Sequence, residues 1–464
     1  MSVSVLPPPG DTRAELRTLL RLSTPVVLGQ LAFMLLGFVD VVMVGHYATE
    51  ALAAATLANV WVMGTMMLAT GILFGLDPLI SQAHGAGDGA RCGLGFQRGL
   101  VLGLLLSPPL ALAWYLTEPA LLLARQSPDL ARAAGHFAVV QIPSVPFLMG
   151  SVAIRSYLQG RGIVLPSMWV ALVANLWNAG LAWVFIYGEL GAPELGLLGA
   201  GLATSLTRVL SFGAIALVVW RLRLYEGAWT GWSRRAFEPA GLREILRIGT
   251  PIAFQTCLEV WAFSSSALIV GQLGEAALAG HSVVMNLASI SFMVPLGLSI
   301  GASIRVGNLI GAGRAQDAQH TAWIAIGLGA SVMACFGITF LTFQRAILGL
   351  YTDDAAVHAI AASILPIAAA FQVLDGTQAV SCGVLRGMGR TLPAAAFNFV
   401  GYWLLSLPLG AWCVLYTDAG IRGLWWSFAG GLLVVAVSLV AWIAARGPKT
   451  LAPARALAGV VARP

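Results

Sequence analysis

Charge is what this chain has least of. Only 10% of its 464 residues are Asp, Glu, Lys or Arg, against about 25% in a water-soluble domain, and so few could not cover a wetted surface of this size. Lysine is almost missing. Lys449 is the only one, and no glycine-rich loop precedes it, so the GxxxxGK[ST] cradle of a P-loop ATPase is absent. The five cysteines (Cys92, Cys257, Cys335, Cys382 and Cys413) are odd in number and scattered, without a CxxC pair. Neither a disulfide framework nor a zinc site is supported. The six histidines have no HExxH or HxxxH spacing, which leaves an intramembrane metalloenzyme without its ligands. No repeated pore loop or ring of charges suggests a channel.

Apolar residues fill the space instead. They make up 58% of the chain, the mean hydropathy is +0.84, and they fall in long runs. A soluble enzyme, a secreted disulfide scaffold and a disordered chain are all excluded. A transmembrane helix needs roughly 20 apolar residues. Runs of that kind lie near 24–45, 51–76, 95–117, 133–157, 164–187 and 196–220, then near 244–271, 276–301, 321–343, 357–382, 393–415 and 423–445. The pattern predicts an all-α polytopic membrane protein of twelve helices. The polar stretch from Arg221 to Arg243 reads as a linker between two six-helix lobes, residues 1–232 and 233–464. The first 23 residues, with Pro7, Pro8 and Pro9, read as a polar lead-in and not as a cleavable signal peptide.

The arginines set an orientation. With the N-terminus inside, inward segments hold 21 of the 26 Lys and Arg and outward loops hold four, with Arg208 left inside a span. That bias fits the positive-inside rule. It predicts a multi-pass protein of the cytoplasmic (inner) membrane with both termini cytoplasmic, and it removes nucleic acid as the reason for the net charge of +6.

The halves repeat. A shift of 226 positions brings LRTLLRLSTP (Leu16–Pro25) onto LREILRIGTP (Leu242–Pro251), and Gly85-Ala86-Gly87 onto Gly311-Ala312-Gly313, in one register. A shift of 227 brings Leu158, Gly160, Gly162, Leu165 and Pro166 onto Leu385, Gly387, Gly389, Leu392 and Pro393. With an even number of spans in each half, the repeats are parallel, related by an axis along the membrane normal. Two such lobes suit a secondary transporter.

In lipid, the informative residues are the charges that should not be there. Asp40, Glu259 and Asp375 fall well inside apolar runs, where a carboxylate costs roughly 2.5–3.5 kcal/mol or more. Such a group binds a proton, holds a cation or faces water; the alternative is a hydrogen bond made only for packing. Asn175 and Asn178 in the fifth span and Thr204 in the sixth are candidate partners, either as secondary ligands or as plain interhelical hydrogen bonds. Asp77 reads as helix-end chemistry, His281 as a structural histidine, and Arg208 as the only basic residue deep in a span. Trp61, Met66, Met67, Trp177, Trp261, Phe263, Met285 and Phe292 could line a cavity for flat cations, against a default of packing.

These stretches resemble the multidrug and toxic compound extrusion (MATE) transporters over nearly all of residues 16–445. The resemblance is carried by GFVDVVMVGH in the first span, by the QAHGAG and GNLIGAG pair, and by FIYGELGAPELGLLGAGLAT. It is most specific in GHSVVMNLASISFMVPLGLSIGASIRVG and QVLDGTQAVSCGVLRGMGRTLPA. CLEVW, with Glu259, makes the chain more similar to the NorM-type and eukaryotic-type branches than to the DinF-type branch.

The resemblance implies a cation site at Glu259 and Asp375 in the C-terminal lobe. It implies a polar site at Asp40, Asn178 and Thr204 in the N-terminal lobe. It also implies a Na+ or H+ antiporter of organic, mostly cationic, compounds, working as a monomer in lipid without ATP, a cofactor or a resident metal. Two departures stand out. Phe371 occupies a position where some NorM-type members have tyrosine. Ser264 and Ser265 stand where the eukaryotic branch has a second acid. Asp40 aligns with Ser266 and Glu259 with Phe33, so the scaffold is duplicated and its acids are not. A lipid-linked saccharide flippase of the same superfamily is the alternative, and twelve spans with only Arg208 buried weigh against it.

Overall fold

A computed structural model describes residues 10–229 and 231–451. The prolines at 7–9, and Arg455 and Arg463 of the inward count, lie outside the described residues. Within these residues the chain is helical, with no strand, and twelve helices are long and apolar enough to cross a membrane. They are α1 (Thr12–Tyr47), α2 (Thr49–Gly85), α3 (Gly89–Tyr115), α4 (Pro128–Gly160), α5 (Leu165–Tyr187) and α6 (Leu197–Arg221). Then follow α7 (Pro239–Leu273), α8 (Glu275–Gly311), α9 (Ala315–Thr342), α10 (Ala355–Gly387), α11 (Leu392–Tyr416) and α12 (Gly420–Thr450). A helix satisfies every backbone N–H and C=O within itself, which hydrocarbon demands.

Each expected span is present, and several run further than the apolar core that marked them. α1 begins at Thr12, α2 continues through a turn at Phe74 and Gly75 into Leu76–Gly85, and α8 reaches Gly311. Hydropathy registers only the apolar middle of a helix, whereas the polar ends keep hydrogen bonding in the same register. The outer faces stay apolar and uncovered: Val60 is 70% and Leu268 77% exposed. Lipid covers such surface without cost.

Two compact units divide the chain. One comprises the chain up to Val27 and from Phe254 onward, the other Leu28–Ala253. Both boundaries fall inside long helices, two residues after Pro25 of α1 and Pro251 of α7. These prolines are equivalent in the repeat.

In the Leu28–Ala253 unit the start of α7 lies against α2. A Cβ on Gly75 would meet the backbone of Gly249 at 2.8 Å, and one on Gly71 would meet the Cα of Ala253 at 2.6 Å, so small residues set this approach. Leu73, Leu76, Met149, Tyr157 and Ile245 share its main apolar core. The stretch from Arg221 to Arg243 belongs wholly to this unit and is tied down. Arg161 donates to the Leu224 carbonyl and to that of Glu226 at 3.1 Å. Gln97 donates to the Gly231 carbonyl and accepts from the Ser233 N–H at 3.0 Å. Trp229 meets Phe96 edge-on at 5.9 Å.

In the other unit α8 and α10 form the most extensive helix pair. α9 packs on α10 through two glycines that face each other: a Cβ on Gly376 would lie 2.7 Å from the Gly329 carbonyl, and one on Gly329 3.0 Å from that of Gly376. The first turns of α1 belong here, held by Glu15 against Arg305 of α8 and Thr321 of α9.

Candidate functional site

In the Leu28–Ala253 unit, α1, α2, α4, α5 and α6 surround a cavity of about 360 Å³, within the size range of small-molecule sites. Asp40 projects into it from α1. Its Oδ2 accepts a hydrogen bond from the Thr204 hydroxyl of α6 at 3.1 Å, while Oδ1 has no partner among the described residues. Asn178, fully buried on α5, lies beside the carboxylate without an aligned hydrogen bond. Arg208 lies within electrostatic reach of Asp40. It donates to Ser144 at 3.3 Å and sits 5.2 Å over the Trp114 ring. Thus Asp40, Asn178 and Thr204 are brought together.

Asn175 is not part of this group. Its amide donates to the carbonyls of Ala32 and Ala171, both at 2.9 Å, and so pins α5 to α1. Of the candidate cavity residues, Met66 lines the space. Trp61 instead donates its indole N–H to the Ala113 carbonyl at 2.7 Å.

Arg155 of α4 also lines the cavity, and Arg305 is buried in α8 at 4% exposure. Arg208 is therefore not the only basic residue within a span. Arg155 and Arg305 lie near the ends of the apolar runs, beside Arg161 and Arg314, and composition alone assigns them to the loops. Arg155 stands at the very end of the 133–157 run, and α8 extends past the 276–301 run to include Arg305.

In the other unit, Glu259 of α7 and Asp375 of α10 interact electrostatically. Asp375 is 4% exposed, and neither forms an ion pair among the described residues. Gln378, three residues after Asp375 and so on the same face of α10, reaches Glu259 and donates to the Asn398 side chain of α11 at 2.9 Å. Asn398 is fully buried and donates to the Ala394 carbonyl at 2.8 Å. Tyr402 lies within electrostatic reach of both carboxyls, and its buried hydroxyl has no hydrogen-bond partner among the described residues. It sits in a π-helical segment, Phe399–Ser406, a local widening that recurs at functional positions.

Aromatic rings wall this site. Phe263 stacks on Phe428 at 5.2 Å and meets Phe371 at 6.1 Å and Tyr402 at 5.6 Å. Phe371 also packs edge-on against Trp425 at 6.3 Å, as part of the wall. The phenol beside the acids thus comes from Tyr402 of α11. His281 is held by Ser266 at 3.1 Å and lies 5.7 Å from Trp425, a packed histidine away from the acids. The set of carboxyl, amide and hydroxyl oxygens suits a proton or a hard cation. No cluster of three His, Cys, Asp or Glu residues suited to a transition metal exists among the described residues.

Twelve apolar helices with buried carboxyls and an internal cavity define a polytopic membrane transporter. The MatE family model matches residues 25–184 and 251–412, and the chain belongs to that family. It is 36% identical over 443 residues to the multidrug resistance protein NorM of Burkholderia vietnamiensis, covering 94% of each chain. It is 33% identical to multidrug and toxin extrusion protein 2 of Mus musculus, covering 93% of this chain and 74% of that one. Among solved structures, the eukaryotic MATE transporter AtDTX14 matches with a TM-score of 0.86 at 24% identity, covering 95% of this chain and 97% of that one. A multidrug resistance MATE family transporter in an outward-facing conformation matches at 0.81 and 22% identity, covering 96% and 100%. The protein is thus a multidrug and toxin extrusion-type transporter embedded in a membrane, and not an enzyme.

Proposed function

We propose that this chain is a cation-coupled antiporter that exports organic, mostly cationic, drugs or toxic compounds by alternating access. Na+ or H+ is the coupling ion; ATP and cofactors take no part. The observation that carries this reading is the Glu259–Asp375 pair, the aspartate buried and the glutamate partly so, with no basic partner among the described residues and edged by Gln378, Asn398 and Tyr402. Two carboxyls that interact away from bulk water do not both persist as bare anions. The site therefore takes a cation on one side of the membrane, and surrendering it on the other supplies the coupling. Asp40, with Thr204 and Asn178, serves the N-terminal lobe. The names of the relatives support drugs and toxins as cargo. The arginine bias supports the cytoplasmic membrane with both termini inside, and the protein acts as a monomer.

Asp375→Asn and Glu259→Gln test this directly. Each should abolish coupled export, read as drug accumulation in cells lacking their own exporters, while the purified variant keeps its elution profile and melting temperature. Unaltered resistance in both would contradict the assignment. Asp40→Asn should impair export as well.

A lipid-linked saccharide flippase is the second reading, and one observation favours it: Arg155 and Arg208 both face the cavity. Ion-driven accumulation of a drug by the reconstituted protein would count against it.

A further inference from the structure

α6 ends at Arg221 and α7 begins at Pro239, so the stretch between them joins two spans on one face of the membrane and lies at the level of the lipid headgroups. A linker that met only water would be polar. This one leaves Trp232 61% and Phe237 63% exposed, with Arg234 and Arg235 exposed between them. Apolar rings held in water carry a cost. At the membrane–water interface they do not, and tryptophan is enriched there.

These four side chains stand on a fixed turn. Arg234–Phe237 is one 3₁₀ turn, capped by the Ser233 hydroxyl, which accepts from the Arg235 N–H at 3.2 Å. The Arg235 carbonyl accepts from Nε of Arg98 at 3.4 Å, and the Ser233 N–H donates to Gln97 at 3.0 Å. Trp232 meets Trp229 edge-on at 5.6 Å, and Trp229 meets Phe96. Three consecutive residues of α3, Phe96 to Arg98, thus hold the turn in place.

The acids of the stretch are already paired: Glu238 with Arg98 at 3.3 Å, and Glu226 with Arg223 at 3.4 Å. Arg234 and Arg235 form no ion pair among the described residues. A guanidinium presents a flat fork of N–H donors that matches a phosphate, and here two such forks are adjacent. Arg243 and Arg247, exposed four residues apart on one face of α7, extend the positive surface.

We propose that this turn binds an anionic phospholipid, its phosphate on Arg234 and Arg235 and its glycerol and upper acyl chains against Trp232 and Phe237. The proposal rests on the chain's place in a membrane and on no part of the transport reading. A soluble phosphate carries the same charge; the exposed rings beside the arginines assign the site to a lipid.

The test is native mass spectrometry of the purified full-length protein, titrated separately with phosphatidylglycerol and phosphatidylcholine of identical acyl chains. An arginine at an anionic lipid surface is worth about fivefold in affinity. The unaltered protein should therefore bind the first phosphatidylglycerol about thirtyfold more tightly than phosphatidylcholine. Arg234→Gln with Arg235→Gln should bring the two lipids within about twofold by weakening phosphatidylglycerol alone. Unaltered phosphatidylcholine binding shows that this variant is folded. Trp232→Ala should weaken both lipids severalfold and leave their ratio. Arg125→Gln with Arg132→Gln, in a loop on the opposite side of the same unit, should keep the full preference.

Equal affinities in the unaltered protein, or a preference that survives Arg234→Gln with Arg235→Gln, would overturn the proposal. So would an equal loss in the Arg125 and Arg132 variant, which would make the preference one of total charge. Displacement of phosphatidylglycerol by an equal concentration of sn-glycerol 3-phosphate, the headgroup phosphate without acyl chains, would make this a soluble-phosphate site and overturn it too.

Discussion

Glu15 accepts hydrogen bonds from both Nε and Nη2 of Arg305, 290 positions along the chain, and a third from Thr321 at 3.2 Å. The two charged side chains are 2% and 4% exposed, so the first turns of α1 are fixed to α8 and α9 by a buried, bidentate ion pair. Removing one partner strands the other charge. Arg305→Met should lower the unfolding free energy by about 3–5 kcal/mol, and adding Glu15→Leu should recover most of it. Denaturant unfolding in micelles reads both. Equal loss in the single and double variants would show that the pair is not what holds the helix.

Tyr402→Phe removes the phenol beside Glu259 and Asp375 and keeps the ring against Phe263. Loss of one neutral ligand should weaken the coupling ion by about fivefold with the melting temperature unchanged. Ion-dependent fluorescence of the purified protein measures it. An unaltered ion affinity would remove Tyr402 from the site.

Gly376→Ala forces a methyl group against the Gly329 carbonyl, and overpacking of this kind costs about 1–3 kcal/mol. Gly327→Ala on α9 meets no neighbouring atom within 4 Å, and alanine is the better helix former. It should leave the melting temperature unchanged or raise it slightly, so the two variants separate close packing from helix propensity.

Arg161 holds the stretch after α6 through the Leu224 and Glu226 carbonyls. Arg161→Ala should release it. Trypsin should then cut after Arg223 or Arg234 several times faster in the folded protein, followed by gel electrophoresis over time. An unchanged cutting rate would mean that the Gln97 contacts are sufficient.

The twelve spans were legible because apolar length is a coarse, robust signal. Their ends were not, since the polar turns at Thr12–Arg21 and Ser81–His84 continue helices that hydropathy ignores. The acids stood out as charges in lipid, yet their partners did not. Gln378 could have been found as the residue one turn from Asp375, and Asn398 as a lone amide in an apolar run. Tyr402 could not, because only the packing of α11 brings it to the acids. Arg155, at the end of the 133–157 run and six residues before Arg161, counts with the inward cations on spacing alone. Asn175 and Asn178 share one spacing and differ only in what they face: Ala32 for the first, Asp40 for the second.

The central claim, coupling through Glu259 and Asp375, meets its most direct test in proteoliposomes with a sodium gradient and a pH gradient imposed separately. One of the two should drive accumulation of an organic cation by the unaltered protein, and Asp375→Asn should abolish that accumulation. Accumulation under neither gradient, or gradient-driven accumulation that persists in Asp375→Asn, would contradict it.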